Sequence, residues 1–224
     1  MTSAWSVVVL GVRWRAPCGP GPIHDWRRVG ESRLDAGGDT AMPTMEHYAR
    51  VPAEERLRRL QHTPDELAAA IRGRDDAALS RRPDAKNWSA KEIVCHLRDV
   101  EELFLTRFLT MLAMDDPRIL AFNAAPGDLA QWGIGGSVGH PLDPGRWAEE
   151  RQYLRNDTSE ALAAFRRRRE EVLALLKGLS AEQWQRGGIH PTRGRMTIGD
   201  FAAGLAGHDD NHLDQLRRAL EGRV

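Results

Sequence analysis

The sequence predicts an all-α protein, an antiparallel four-helix bundle with a long irregular central connection. Two observations predict it. Apolar residues recur at spacings of three and four along several long stretches, and these stretches begin at Ser, Thr or Asp residues typical of helix N-caps. With 41% hydrophobic residues among 224, the chain can bury a sizeable core. No internal repeat and no strand pattern competes with this interpretation.

Residues 1 to 44 are predicted to be a disordered N-terminal extension. The segment "RAPCGPGPIHDWRRVGESRLDAGGDTAMP" is rich in Gly, Pro and charge and has no apolar periodicity, so it lacks the burial needed to offset the entropy of ordering. The helical domain is expected to span residues 45 to 224. Met42 and Met45 stand just before the first regular pattern, and natural translation is predicted to begin at one of them.

The first two helices have clear start signals. In "HTPDELAAAIRG", Thr63 is the predicted N-cap, Pro64 occupies the first helical position, and Gly73 ends the helix. In "WSAKEIVCHL", Ser89 and Glu92 form a capping box, and apolar residues then continue at helical spacing, which predicts a long helix over roughly 90 to 114.

The second half of the chain predicts a long connection and two further helices. Residues 115 to 156 are expected to be irregular because of their glycines and prolines. A helix resumes near Asp157 or Thr158, with the run "RRRREE" on its solvated face, and a connector leads to the last helix, which begins at Thr197.

Three histidines occupy core positions of these helices. His208 and His212 lie one turn apart, which places their Cβ atoms about 5–6 Å apart on one face, and His96 shares the apolar face of the helix over 90 to 114. A single inward histidine is usually a hydrogen-bonded core residue. Three together, each costly if charged, favour a metal site, whereas His24, His47 and His62 are expected at the surface.

Composition argues against several classes of partner. Lys+Arg and Asp+Glu are equal at 32 each, so no basic field attracts nucleic acid or an anionic membrane. No apolar run approaches the roughly 18 residues of a spanning helix. Cys18 and Cys95 form no C-x-x-C and predict reduced thiols, hence a cytoplasmic location.

Two segments resemble a known family. "NWSAKEIVCHLRDVE" and "HPTRGRMTIGDFAAGLAGHDDNHLDQL" are similar to the DinB-like four-helix metalloprotein superfamily and, within it, to the YfiT-like, bacillithiol-transferase-type branch, over about residues 50 to 222. The resemblance implies that His96, His208 and His212 bind one divalent ion, zinc or nickel. It also implies a homodimer, to which Trp132 or Trp147 of the central connection could contribute contact area.

The resemblance implies transfer of a low-molecular-weight thiol to a small electrophilic substrate. Asp99 is a candidate for orienting a ligand imidazole, with a solvated-face role as its alternative, and Asp209 and Asp210 are weaker candidates. His190 is a candidate for proton transfer, and Trp132 and His140 for covering an apolar electrophile. Two alternatives stay open: a metal-dependent hydrolase, and a non-catalytic metal- or ligand-binding stress protein. A zinc-protease H-E-x-x-H is absent, because position 209 is Asp.

Overall fold

The computed structural model describes residues 43–119, 121–122 and 142–224. Its helices, in chain order, are α1 (Met45–Arg50), α2 (Ala53–Ile71), α3 (Asp76–Ser80), α4 (Ala90–Ala113), α5 (Pro144–Glu150), a 3₁₀ turn (Tyr153–Arg155), α6 (Thr158–Lys177), α7 (Ala181–Trp184) and α8 (Ile198–Glu221). Strands β1 (Gly187–His190) and β2 (Gly194–Thr197) form an antiparallel hairpin between α7 and α8.

The four long helices α2, α4, α6 and α8 form the predicted four-helix bundle. Helix α4 packs against α6 and α8, and α2 packs against the same two helices. The apolar interior falls into two clusters along the bundle, one around Phe108 and Leu205 and the other around Ile93 and Leu216. Among the helices of the described residues, none combines the length and apolarity that a membrane crossing requires.

The starts of α4 and α8 are confirmed. Ser89 and Glu92 form the capping box of α4, in which each side chain bonds the other residue's backbone N–H. Thr197 and Asp200 form the same arrangement at α8. Because a capping box satisfies backbone donors that a helix end leaves free, it fixes where each helix begins. The histidine positions along both helices are set from these two starts.

The predicted start of the first helix at Thr63 was wrong. Helix α2 begins at Ala53 and continues through Pro64. Proline has no backbone N–H, so in a helix interior it leaves the carbonyl four residues earlier without its usual donor. Here that carbonyl belongs to Leu60. Arg169 of α6 donates to that carbonyl at 2.7 Å and satisfies it. A hydrogen bond from another helix therefore allows Pro64 inside α2, although the local sequence is typical of a helix start.

The segments between helices carry more regular structure than predicted. The interval 115 to 156 contains α5 and the 3₁₀ turn, and the connector before α8 contains the β1–β2 hairpin, which the sequence did not predict. Two further backbone bonds attach the hairpin to the chain after α4: the Ile119 N–H donates to the Ile189 carbonyl, and the Ile189 N–H donates to the Pro117 carbonyl. Gly188 permits this approach, because a Cβ there would lie 2.7 Å from the Pro117 carbonyl oxygen.

The prediction that all of "RRRREE" faces solvent was wrong at one position. Arg169 is 1% exposed, whereas Arg167 two residues earlier is exposed. Residue 169 lies on the same face as the core residues Phe165, Val172 and Leu176 at spacings of three and four. A buried guanidinium requires partners of opposite charge, and these come from two other helices.

Candidate metal centre

Three imidazoles meet between α4 and α8. His96 is carried by α4, and His208 and His212 are carried by α8 one turn apart. One ligand nitrogen from each residue can be chosen so that all three lie within 4.8 Å of one another. His96 and His212 are buried and His208 is partly buried. The helix spacing thus brings together the three histidines that the sequence singles out.

All three histidines are electrically neutral near pH 7. Burial lowers the pKa of His96 and of His208 well below the usual value, and neighbouring imidazoles lower them further. Burial also lowers the pKa of His212, to about 4, although a hydrogen bond with Gln215 opposes the shift. Neutral imidazole is the form that binds a metal ion, so the site needs little proton release to accept one at neutral pH.

The arrangement fits a divalent transition metal. The Nε2 atoms of His96 and His208 are 3.2 Å apart. Two imidazole nitrogens at about 2.0–2.1 Å from a tetrahedral ion would be about 3.3 Å apart. In the described residues the Nδ1 atoms of the same two histidines are buried without a hydrogen-bond partner. Each of these histidines therefore makes its polar contact through Nε2. Imidazole nitrogens suit zinc, nickel and other late divalent ions.

Aromatic rings flank the histidines. The Trp88 ring lies 4.8 Å from that of His96 and stacks on that of His212 at 6.3 Å, measured between centroids. Phe122 lies 6.4 Å from His96, and Trp147 of α5 packs edge-on against Phe122 at 5.8 Å. These rings give the site an apolar border, which favours neutral histidines and an apolar substrate group.

A buried ionic cluster lies next to the histidines. Arg169 donates to Glu101 of α4 at 2.6 Å and to both carboxylate oxygens of Asp209 of α8, at 2.6 and 3.1 Å. Thr63 of α2 donates to Asp209 at 2.6 Å. Asp209 precedes His212 by three residues, so this cluster, which joins all four long helices, also fixes the part of α8 that carries two histidines.

Asp99, the candidate for orienting a ligand imidazole, bonds side chains other than the three histidines. It is 4% exposed, so the alternative of a solvated-face role was wrong. Its carboxylate accepts from Tyr153 at 2.8 Å and from Arg98 at 2.8 Å, and it forms an ion pair with Arg151 at 2.7 Å. Burial would raise its pKa, but these donors hold it below the usual value. Asp99 therefore secures the 3₁₀ turn against α4.

His190 is half-buried at the end of β1. Its Nδ1 atom interacts with Thr192, whose hydroxyl lies at 3.2 Å and whose backbone N–H donates at 3.3 Å. The structure does not bring it into the three-histidine group. His47 and His62 are exposed as predicted, whereas His24, Trp132 and His140 lie outside the described residues.

Two further residues near the site bear on its chemistry. The Cys95 thiol is buried, and desolvation raises its pKa to about 11, so it is not a nucleophile at neutral pH. Arg107 of α4 is buried with its guanidinium 5.4 Å from the Phe122 ring centroid, and desolvation lowers its pKa to about 10. Arg107 also contributes to the low pKa of His208.

A match to a protein-family profile shows which family this chain belongs to. The DinB superfamily matches residues 59–216, from α2 to the last turns of α8. The chain belongs to the DinB superfamily. All three histidines of the site lie within the matched region.

Two similar proteins are both described as putative metal-dependent hydrolases. "Putative metal-dependent hydrolase YfiT" of Bacillus subtilis (strain 168) is 24% identical over 165 residues, which cover 72% of this chain and 82% of that protein. A protein of Oceanobacillus iheyensis with the same description is 20% identical over 166 residues, covering 74% of this chain and 84% of its own length.

A solved structure of Bacillus subtilis YfiT has the same fold. Its description is "a probable metal-dependent hydrolase with an unusual four-helix bundle topology". It matches with a TM-score of 0.63 at 20% identity and covers 88% of this chain and 97% of its own. At this level of identity the likeness establishes the four-helix bundle and nothing finer.

Several residues of the site were not found from the sequence. Gln215, three positions after His212, contacts that histidine, and its i+3 spacing is a signal that the sequence does contain. Trp88, next to the α4 capping box, also has a position readable from the helix start. The partners of Asp209 are hidden, because Arg169 and Thr63 are distant in sequence.

Proposed function

We propose that this protein is a metal-dependent enzyme that transfers a low-molecular-weight thiol to a small electrophile. The convergence of His96, His208 and His212 carries the proposal. These three side chains would hold one divalent ion, and because all three are neutral, the ion would keep its full charge. When bound there, such an ion supplies a Lewis acid that lowers the pKa of a coordinated thiol or water.

The chain itself supports thiol chemistry in two ways. In the described residues no carboxylate joins the three histidines, and Asp209 is already bonded to Arg169 and Thr63. A thiol made acidic at the site needs no general base, whereas hydrolysis of an amide or ester benefits from one. Cys95 is buried and protonated, so it is not the source of the transferred sulfur.

The other side chains would position and shield the reactants. Trp88 and Phe122 offer aromatic faces beside His96, which suit an apolar electrophile and limit access of water. We propose His190, which is half-buried on the hairpin before α8, as a candidate for proton transfer to the leaving group. Asp99 is assigned an indirect role: its bonds to Tyr153 and Arg151 hold the 3₁₀ turn against α4.

Metal binding is tested first, with substitutions of the ligands. The wild-type protein is expected to bind about one Zn²⁺ or Ni²⁺ per chain, and His208→Ala with His212→Ala is expected to abolish stoichiometric binding. His47→Ala with His62→Ala is the matched control, because both residues are exposed. Full metal occupancy in the ligand double variant would exclude this site.

Thiol transfer is tested with the metal-loaded protein at pH 7. Candidate thiols are screened against haloalkane, epoxide and maleimide-type electrophiles, following loss of thiol with and without a chelator. Transfer is expected to depend on the ion, because a free thiol with a pKa of about 8.5 is mostly protonated at this pH. Equal rates for wild type and His208→Ala would show that the three-histidine site does not activate the thiol.

Hydrolysis is the second candidate function, favoured by the names of the two relatives. The same ion would then lower the pKa of a water molecule instead of a thiol. Ester and amide substrates incubated without any thiol separate the two reactions. Metal-dependent turnover there, together with no thiol transfer, would favour the hydrolase. Stoichiometric metal binding without either activity would indicate a non-catalytic metal-binding protein.

A further inference from the structure

The hydrogen bond of His212 distinguishes it from the other two histidines. Gln215 follows His212 by three residues on α8, so the two side chains share a face of the helix. The Gln215 Oε1 atom lies 2.8 Å from Nδ1 of His212. An amide oxygen can only accept a hydrogen bond, so the proton must reside on Nδ1.

The position of that proton determines which nitrogen can bind a metal. A neutral imidazole carries a single N–H, so an Nδ1–H leaves the lone pair of Nε2 free. We propose that Gln215 is a positioning residue that holds His212 in the Nδ1–H tautomer and fixes its ring so that Nε2 serves as the ligand atom. This inference rests on the proposed metal site.

His96 and His208 lack an equivalent device in the described residues. Their Nδ1 atoms are buried without hydrogen-bond partners, and their Nε2 atoms face each other at 3.2 Å. Without an ion, one of these two Nε2 atoms carries a proton shared with the other. His212 is therefore the histidine whose ligand atom is prepared before the ion arrives, and its orientation depends on Gln215.

Zinc affinity is the first measurement. Dissociation constants are determined at pH 7.5 by competition with a chromophoric chelator for the wild type, Gln215→Leu, Gln215→Glu and the control Gln61→Leu. Loss of the acceptor in Gln215→Leu is expected to weaken binding by about 10- to 100-fold. Gln215→Glu keeps an acceptor for Nδ1–H and is expected to bind at least as tightly as wild type. Gln61 bonds Lys177 at the surface, so Gln61→Leu should change nothing.

The tautomer of His212 is the second measurement. In the metal-free protein labelled with ¹⁵N-histidine, the wild type is expected to show a protonated Nδ1 and an unprotonated Nε2 at His212. Gln215→Leu is expected to shift that residue toward a mixture of tautomers. The melting temperature of each metal-free variant reports whether the substitution destabilises the fold. A positioning role for Gln215 predicts weaker zinc binding without a matching loss of melting temperature.

The possible results separate this inference from the proposed function. A wild-type protein that binds no zinc would overturn both. Zinc binding by Gln215→Leu with wild-type affinity would overturn the role of Gln215 alone, as would an Nε2–H tautomer at His212 in the wild type. Weaker binding in Gln215→Leu that Gln215→Glu fails to restore would also count against it, because that pattern indicates lost packing and not a lost acceptor.

Discussion

Burial of the three histidines costs stability as soon as they become charged. His96, His208 and His212 are surrounded by each other and by aromatic rings, so a protonated imidazole there loses hydration and faces other imidazoles. Asp209 is the carboxylate that favours the charged form of His212, but Arg169 already neutralises it. Protonation of these histidines is therefore unfavourable in the folded chain.

The metal-free protein is expected to lose stability as the pH falls. The pKa of His212 is about 4 in the folded chain and about 6.5 when unfolded, so the unfolded state binds more protons between these values. The contribution is complete above about pH 6.5 and is lost as the pH falls through about 4. Between pH 6.5 and 5 we expect His212 to lower the free energy of unfolding by about 1–2 kcal/mol.

Urea unfolding at a series of pH values measures this effect. His212→Gln should flatten the slope between pH 6.5 and 5, because Gln binds no proton. His62→Gln replaces an exposed histidine and should leave the slope as in wild type. An unchanged slope in His212→Gln would contradict the conclusion that this imidazole is neutral in the folded protein.

At the scale of elements, two glycines of α8 lie under the short helix α1. A Cβ at Gly207 would approach the Met45 backbone nitrogen to 2.9 Å, so the two helices touch through their backbones there. At Gly204 the nearest atom is the flexible Met45 sulfur, at 3.7 Å. The same substitution should therefore have different results at two positions one turn apart.

Gly204→Ala should raise the free energy of unfolding by about 0.5–1 kcal/mol, because alanine is the better helix former. Gly207→Ala should gain less or become destabilising, because α1 must move away to make room for the methyl group. Urea unfolding of the two variants measures the difference directly. Equal stabilisation by both would mean that α1 does not rest on Gly207.

The ionic cluster around Arg169 is the second element-scale feature that can be tested. Arg169→Met would leave Glu101 and Asp209 buried without their cation, and would also remove the donor to the Leu60 carbonyl that Pro64 exposes. We expect a loss of about 3–5 kcal/mol in the free energy of unfolding. Arg167→Met is the control on the exposed side of α6 and should change stability by less than about 0.5 kcal/mol. Equal stability of the two variants would contradict this account.

The same cluster shows how far the sequence could predict the elements. Local patterns sufficed where the signal is local: the capping boxes of α4 and α8 and the helical stripe through His208 and His212 were predicted and are confirmed. They failed at Pro64 because the Leu60 carbonyl that this proline exposes is bonded by Arg169, 109 residues away. They failed at Arg169 because its carboxylate partners Glu101 and Asp209 lie 68 and 40 residues away on other helices. The β1–β2 hairpin was missed because its four-residue strands contain glycines and charges instead of an alternating apolar pattern.

At the scale of the whole molecule, the site depends on how α4 and α8 are aligned against each other. The sequence predicted three inward histidines, since inward direction follows from helical periodicity. It could not determine that α4 and α8 are neighbours at the level of His96 and His208, because that register is set by long-range packing and by the Arg169 cluster. Asp99 shows the limit of inference by spacing, because two of its partners, Tyr153 and Arg151, come from the segment between the helices.

The last prediction concerns the residues that precede the bundle. The described residues bury both apolar clusters and contain the three histidines of the site, so a chain of residues 42–224 is expected to fold and to bind zinc with the affinity of the full chain. A chain of residues 45–224 lacks Thr44, whose hydroxyl caps α1, and places a charged amino group at that helix start. Both changes disfavour α1, and we expect a loss of about 1 kcal/mol in the free energy of unfolding. Urea unfolding and zinc competition on the three chains measure these effects. Loss of zinc binding in the 42–224 chain would show that residues before Met42 support the site.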